Sequence, residues 1–530
     1  MTARWSYAST APTIPGEGFS DPYRAKWWIA AGVTLASAME LVDTTIVNVG
    51  MPDISASLGA TIDEVAWVSI GYLLSAVIVL PLTGWLGDVL GRKRYFAGSI
   101  LLFTGASILC GSAASLQALV LWRIVQGIGG GALIATAQTI LFEHFPPDQK
   151  PLASAIYGLG MMVGPAIGPT LGGVIIDRYS WPWMFFINIP LGVLSFLLVS
   201  TFVPDTARRV RRGFDVVGFV LLATGIGSLQ YVLERGAYYD WFDSSRITRL
   251  TALAIAALAA LVWWELRVED PIWDLRVLRH RALAVGSVLA IALRMVLYGS
   301  IFALPLFTEQ VLGYDAATTG WLFLPAAIAN AAGMFGIARL GNRLDRRALI
   351  ALGAALMALS MYQHAQFTNE SGWWDMYWPV MLRGVATGLM FVPLTTAALS
   401  ELTGHDLAEG ASMFNLMRQL GGSVGISMLA SHLTTSIAVA RARLVEHVTP
   451  NDPATRERLA LLMRKLLRSA PDSLTAHQRA LAALDHAVQR QAVVLGFESS
   501  FRLLAWIIVG SIPLVMFLGR GPARTRSRGA

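Results

Sequence analysis

Two carboxylates, Glu40 and Asp43, stand three residues apart in "AMELVDTTIVNVG", inside an otherwise apolar run. Three arginines, Arg123, Arg294 and Arg383, are set into other apolar runs in the same way. An ionisable side chain at the centre of a membrane helix costs at least about 2.5–3.5 kcal/mol, and such groups face a water-filled cavity, pair with an opposite charge or relay protons. At i and i+3, Glu40 and Asp43 share one helix face, where their charges repel. With the first helix starting near Trp27, a rise of 1.5 Å per residue puts Asp43 about 24 Å in. Arg123 enters its helix from the opposite side and sits about 10 Å down. In a core of about 30 Å the two reach similar depth. A proton switch and a static ion pair both fit that placement.

These depths have meaning only if the surrounding runs span a bilayer. The chain has 530 residues, of which 55% are hydrophobic and 14% charged, against about 25% charged in a soluble domain. A spanning helix needs about 20 mostly apolar residues. Such runs lie near 27–49, 65–86, 94–114, 116–139, 150–175, 181–203, 214–233 and 247–266. Others lie near 282–307, 318–338, 346–364, 377–399, 410–433 and 499–519, which makes about fourteen. Residues 1–26 lack a signal-peptide core, so the first helix is expected to stay. The single cysteine, Cys110, excludes an intramolecular disulfide. The net charge of +7 does not indicate nucleic acid, because the arginines form short clusters between apolar runs.

If the helices alternate, those clusters fall on one side. They are Arg92, Lys93 and Arg94; Arg208, Arg209, Arg211 and Arg212; Arg279 and Arg281; Arg343, Arg346 and Arg347; and Arg520, Arg524, Arg526 and Arg528. The short loops 50–64, 308–319 and 365–376 on the other side hold no Lys or Arg. The positive-inside rule then makes both termini cytoplasmic, with Arg235, Arg246 and Arg249 as exceptions. One long loop, 434–498, is expected on the outer face, with two amphipathic helices within 451–496. The histidines His144 and His405 read as solvated.

The chain also repeats. "LWRIVQGIGGGALIATAQTIL" (121–141) and "MLRGVATGLMFVPLTTAAL" (381–399) both set an arginine near the outer end of a helix with glycines after it, and "GWLGDVLGRKR" (84–94) is echoed by "ARLGNRLDRR" (338–347). Parallel repeats with a helix pair between them account for this spacing. The expected organisation is a tail 1–26, a six-helix bundle 27–203, a linker 204–268 with two extra spans, a second bundle 269–519 containing the outer loop 434–498, and a basic tail 520–530.

Five motifs stand in a familiar order: "VDTTIVNVGMP", "GWLGDVLGRKR", "RIVQGIGGG", "GLGMMVGPAIGPTLGG" and "SWPWMFFINIPLG". With "GIGSLQYVLERGAYYDWF" (225–242) and "NLMRQLGGSVGIS" (415–427), the chain resembles the drug:proton antiporters of the major facilitator superfamily. Within them it is most similar to the EmrB branch of the fourteen-helix EmrB/QacA group. The resemblance, which runs from about residue 27 to 519, implies an all-α integral membrane protein with the major facilitator fold. It would have two pseudosymmetric six-helix bundles and two linker helices.

The resemblance also assigns residues. Asp43 and Arg123 match positions linked to proton coupling. Glu40 departs from the family, which carries a neutral residue there. Pseudosymmetric helices of this fold face each other across the cavity. Glu40 is about 20 Å into the first helix and Arg294 about 18 Å into the first helix of the second half. The two are therefore expected to meet or to share a substrate near the midplane, with an inert cross-domain pair as the alternative. Arg383, the repeat mate of Arg123, either offers a positive site to an anionic substrate or bonds loop carbonyls. Gly84, Asp88, Gly91 and Arg92 belong to a loop that latches the cytoplasmic side. Gly160, Gly164, Pro165, Gly168, Pro169, Gly172 and Gly173 form the motif that distinguishes exporters from importers.

No P-loop, zinc-spaced Cys/His cluster or "GxSxG" elbow occurs. The expectation is a carrier, not an enzyme, with no cofactor or metal and the proton as coupling ion. It would export hydrophobic drug-like compounds across the bacterial inner membrane by alternating access. Buried arginines lean toward hydrophobic weak acids, while Glu40 and Asp43 admit cations. Relatives in the EmrB branch work with a periplasmic membrane-fusion adaptor and an outer-membrane channel, which makes the outer helices candidates for adaptor contact. A proton-coupled importer of a nutrient or siderophore and a non-transporting membrane sensor are the rival classes.

Overall fold

The computed structural model describes residues 22–205, 213–340, 344–449, 451–467 and 472–518. Most of the tail 1–26, Arg208, Arg209, Arg211, Arg212, Arg343 and the basic tail 520–530 with Arg520, Arg524, Arg526 and Arg528 lie outside the described residues. The described chain is helical, with no strand. The first six long helices are α1 (Pro22–Val49), α2 (Asp63–Leu90), α3 (Arg92–Gly111), α4 (Leu116–His144), α5 (Lys150–Arg178) and α6 (Trp183–Phe202). Next come α7 (Val216–Arg235) and α8 (Ser245–Glu265). The last six are α9 (Arg281–Gln310), α10 (Ala316–Leu340), α11 (Arg346–His364), α12 (Trp373–Leu399), α13 (Gly404–His447) and α14 (Ser473–Phe517). Twelve are long and apolar enough to cross a membrane among the described residues. The remaining two, glycine-rich α5 and 19-residue α11, pack within the same bundles.

Local chemistry sets the helix ends. At the start of α2 the Thr61 hydroxyl accepts the Glu64 amide at 3.3 Å while the Thr61 amide donates to Glu64 at 2.8 Å, a reciprocal cap. Gly91, with φ of 84°, makes the turn from α2 to α3, in a region that a Cβ disfavours. On α4, a Cβ at Gly129 would lie 2.8 Å from the backbone of Phe103. Its absence lets α3 and α4 meet nearly backbone to backbone.

The two halves use the same pairings. In α1–α6, α1 packs on α5 and α6, α2 on α4, and α3 on α4 and α6. In α9–α14, α9 packs on α13 and α14, α10 on α12, and α11 on α12 and α14. The internal repeat is thus realised in three dimensions. The linker pair lies beside α2 and α13: Trp67 of α2 meets Tyr231 of α7 at 5.8 Å, and Gln230 of α7 donates to Ser423 of α13 at 2.9 Å.

One end of the bundle carries Arg92, Lys93, Arg94, Arg279, Arg281, Arg346 and Arg347; the other carries the short helix Pro453–Leu466. The three arginines that break the charge pattern are accommodated locally. Arg235 donates to Asp63 at 2.5 Å, Arg246 lies over Tyr239, and Arg249 bonds the Ser245 carbonyl. The segment 434–498 differs from expectation. It is not a loop with two helices of its own: α13 continues unbroken to His447, and α14 already begins at Ser473. Only Pro453–Leu466 is separate. Asp452 and Asp472 cap the helices that follow them, and the Thr455 and Thr475 donors hold their carboxyls below the usual carboxylate range.

Candidate functional site

Four helices converge on one buried ion pair. Asp43 of α1 has no exposed surface. Its Oδ2 accepts from Nη1 of Arg123 on α4 at 2.5 Å. Its Oδ1 accepts from Nδ2 of Asn188 on α6 at 2.7 Å and from Nε2 of Gln126 on α4 at 3.0 Å. Arg123 also donates through Nε to the Val68 carbonyl of α2 at 3.1 Å and through Nη1 to Gln126 at 2.8 Å. Its guanidinium lies 4.3 Å from the centre of the Tyr72 ring. A buried ion pair holds only when further hydrogen bonds offset the lost hydration, and this one has them on both sides.

Glu40, one turn away on α1, is 6% exposed. Its Oε1 accepts from the Tyr72 hydroxyl at 3.0 Å, and its Oε2 has no partner. Tyr72 therefore touches both charges, with its ring against Arg123 and its hydroxyl on Glu40. The direct Glu40–Arg294 contact expected from depth is not made. Arg294 lies over its own neighbour Tyr298 at 4.5 Å. Depth along a helix gives height but not direction, and Tyr72 fills the position beside Glu40.

Of the two roles expected of Arg383, the bond to loop carbonyls is not made among the described residues: it is 2% exposed and donates to the hydroxyl of Ser300 on α9 at 3.1 Å, with Phe323 at 5.2 Å. The second half repeats the arginine of the first but sets a hydroxyl opposite it. A different arginine occupies the interface between the halves. Arg418 of α13, 4% exposed, donates to the Tyr157 hydroxyl of α5 at 3.2 Å, and its Nη1 has no partner. Tyr157 donates to Asn415 at 3.0 Å, and Asn415 to Gln138 of α4 at 2.5 Å.

From this layer to the basic end the halves are joined repeatedly. Ser154 and Thr396 are 3.1 Å apart, and Lys150 donates to the Ser400 carbonyl at 2.7 Å. At the rim, Asp88 meets Arg92 at 3.7 Å and His405 at 2.8 Å, and Arg92 reaches the Gly404 carbonyl at 2.8 Å and Glu143. His405 is thus partnered by Asp88 and half-buried instead of solvated; His144 bonds the Ile140 carbonyl at 2.7 Å. Gly84 admits Glu409 against α2. The deepest of these contacts, at Arg418, is about 21 Å into α13. Asn330 of α10 donates to Met162 of α5 at 2.6 Å in the same region. Beyond these two ties, among the described residues, no hydrogen bond or ion pair links the two six-helix halves directly. Among the described residues the linker bridges them there: Arg235 of α7 donates to Asp63, Gln230 of α7 to Ser423, and Trp241, in the turn that follows α7, to Ser431 at 2.6 Å.

The glycine motif lies on α5, with Pro165 and Pro169 in the same helix. A Cβ at Gly160 would lie 2.6 Å from Thr34, one at Gly164 2.5 Å from the Leu41 carbonyl, and one at Gly172 3.0 Å from Ile46; one at Gly168 would run into Thr45. These four seat α5 on α1, the helix that holds both carboxylates. Gly173 has nothing within 4 Å. Among the described residues no cluster suited to a metal ion exists.

Sequence reasoning singled out Glu40, Asp43 and Arg123 but missed Tyr72, Gln126, Asn188 and Arg418. Gln126, Asn188 and Arg418 stand inside motifs already quoted, and Arg418 is an arginine in an apolar run just as Arg294 is.

Two pseudosymmetric six-helix bundles with buried charges at their interface define a membrane transporter fold. Residues 33–426 match the family model described as Major Facilitator Superfamily. Multidrug export protein EmrB of Escherichia coli (strain K12) is 37% identical over 424 residues, which is 79% of this chain and 83% of that one. Fatty acid resistance protein FarB of Neisseria gonorrhoeae is 33% identical over 490 residues, 92% and 95% of the two chains. The solved structure of the proton:xylose symporter XylE superposes with a TM-score of 0.60 at 13% identity, covering 93% of this chain and 95% of that one. The chain belongs to the Major Facilitator Superfamily, in its EmrB branch.

Proposed function

We propose that this protein exports hydrophobic toxic compounds from the bacterial cytoplasm or inner leaflet in exchange for protons, by alternating access. The observation that carries the reading is the Asp43 site. A fully buried carboxylate is held by donors from two neighbouring helices, α4 and α6, one turn from a second carboxylate with an open oxygen. Protonating Asp43 removes the charge that orders Arg123, Gln126 and Asn188, which frees α1, α4 and α6 to shift. Names of relatives as multidrug exporters support the substrate class, and α5 packed on α1 by its glycines supports the export direction.

In this reading the basic end is cytoplasmic, both termini lie in the cytoplasm, and the conformation faces outward, since among the described residues the direct ties between the halves run from the basic end to Arg418 and Asn330. Arg294 and Arg418, neither paired with a carboxylate, supply positive charge to the interface and favour hydrophobic acids among the substrates. One proton entering at 100 mV supplies about 2.3 kcal/mol, enough for a roughly 50-fold gradient. The long ends of α13 and α14 with Pro453–Leu466 form the surface for a periplasmic adaptor, which would pass substrate to an outer-membrane channel.

Energised inverted vesicles test the transport reading. Ethidium and an acidic fluorescent dye should accumulate, and both an uncoupler and Asp43→Asn should abolish this. Accumulation that survives the uncoupler would reject proton coupling. Dye movement out of the vesicle lumen would favour an importer.

A further inference from the structure

A groove of about 560 Å³ lies between α2, α3 and α4, with Phe219 of α7 as its far wall. It opens on the surface that meets the bilayer: Leu90, Leu102 and Ile128, which line it, are 42%, 40% and 42% exposed. The lining is largely aliphatic, and Arg94 stands at the mouth on the basic end. Arg94 is half a helical turn past Arg92 of the latch, so whatever occupies the mouth rests against that turn.

Three features here are left largely unused by contacts within the chain. Tyr95, 8% exposed, lines the groove, and its hydroxyl has no hydrogen-bond partner. Gly98 also lines it, and a Cβ there would meet nothing within 4 Å. Glycine destabilises a helix interior relative to alanine. The glycines of α4 are explained by the atoms of α2 and α3 packed against them, but Gly98 is not. Arg94 makes one loose contact, with Nε 3.9 Å from the exposed Asp205 carboxylate, and its two Nη groups have no partner among the described residues.

We propose that this groove holds one anionic phospholipid. Its phosphate sits on Arg94, its ester region takes the Tyr95 hydroxyl, and one acyl chain runs past Gly98 to Leu102. From Arg94 to Leu102 the helix rises about 12 Å, room for the upper half of a chain. A cation at one end of an aliphatic channel that faces the bilayer matches an amphiphile with an anionic head. The site does not depend on the nature of the exported compound.

The test is lipid retention by the full-length protein purified in mild detergent, followed by titration with phosphatidylglycerol or phosphatidylcholine and native mass spectrometry. The wild type should keep one phosphatidylglycerol and prefer it to phosphatidylcholine. Arg94→Gln should bind it about fivefold more weakly, the factor that one cation contributes beside an anionic headgroup, and Arg94→Lys should restore it. Gly98→Leu should fill the groove and abolish retention while leaving the melting temperature in detergent no lower. Equal retention by the wild type and Gly98→Leu overturns the proposal. So does phosphatidylcholine binding as well as phosphatidylglycerol, or a transported dye found in the groove in place of lipid.

Discussion

Asp43 and Arg123 form a unit in which both carboxylate oxygens and the Nε and Nη1 of the guanidinium are engaged. Arg123 serves Val68, Gln126 and Asp43 at once, so Arg123→Lys, with its single ammonium, should not rescue function. Arg123→Ala leaves a buried carboxylate unpaired, which costs about 3–5 kcal/mol when one partner of a buried pair is removed. Its yield and melting temperature in detergent should fall sharply. The double change Asp43→Asn with Arg123→Gln should recover stability but not export. If the double variant is no more stable than Arg123→Ala, the pair is not what holds these helices. Tyr72→Phe keeps the ring under Arg123 and removes the hydrogen bond that the Glu40 carboxylate accepts among the described residues. It should slow ethidium export as much as Glu40→Gln does, with little change in melting temperature.

At the level of helices, α5 and α1 meet through glycine. Gly164→Ala drives a methyl into the Leu41 carbonyl, an overpacking that costs about 1–3 kcal/mol, and should displace the segment carrying Glu40 and Asp43. Gly173→Ala, with open space around it, should be silent. Equal export rates in inverted vesicles for the two variants would remove the role given to this interface. Much of this level was legible in the sequence, because spans are written in local hydropathy and both carboxylates are conspicuous in an apolar run. Three things were not. The unbroken extensions of α13 and α14 read as a loop, since an amphipathic helix looks the same whether or not it continues a span. Asn188 and Tyr72 carry no charge, so nothing local marks them as partners of Asp43 and Glu40. The direction in which Arg294 points depends on packing against Tyr298, which depth along the helix cannot supply.

Across the whole molecule, the halves are tied from the basic rim to Arg418 and to Asn330 on Met162 and, beyond them, among the described residues, through the linker. Alternating access requires those ties to break. Ser154 and Thr396, 3.1 Å apart, mark the seam. Ser154→Cys with Thr396→Cys should form a disulfide on oxidation, stop export, and regain it on reduction, while native Cys110 stays buried. Undiminished export by the oxidised pair would mean that the basic end does not open. At the rim, Asp88→Ala removes the partner of both His405 and Arg92. It should leave the protein inserted but slow turnover several-fold, read from initial rates at matched expression.

The central claim is that substrate and proton exchange at the carboxylates of α1. Purified protein in weakly buffered detergent with a pH-sensitive dye reads this without a membrane: adding substrate should release protons from the wild type. The Glu40→Gln, Asp43→Asn double variant should bind the same substrate and release none. Proton release of equal size from that variant would contradict the claim.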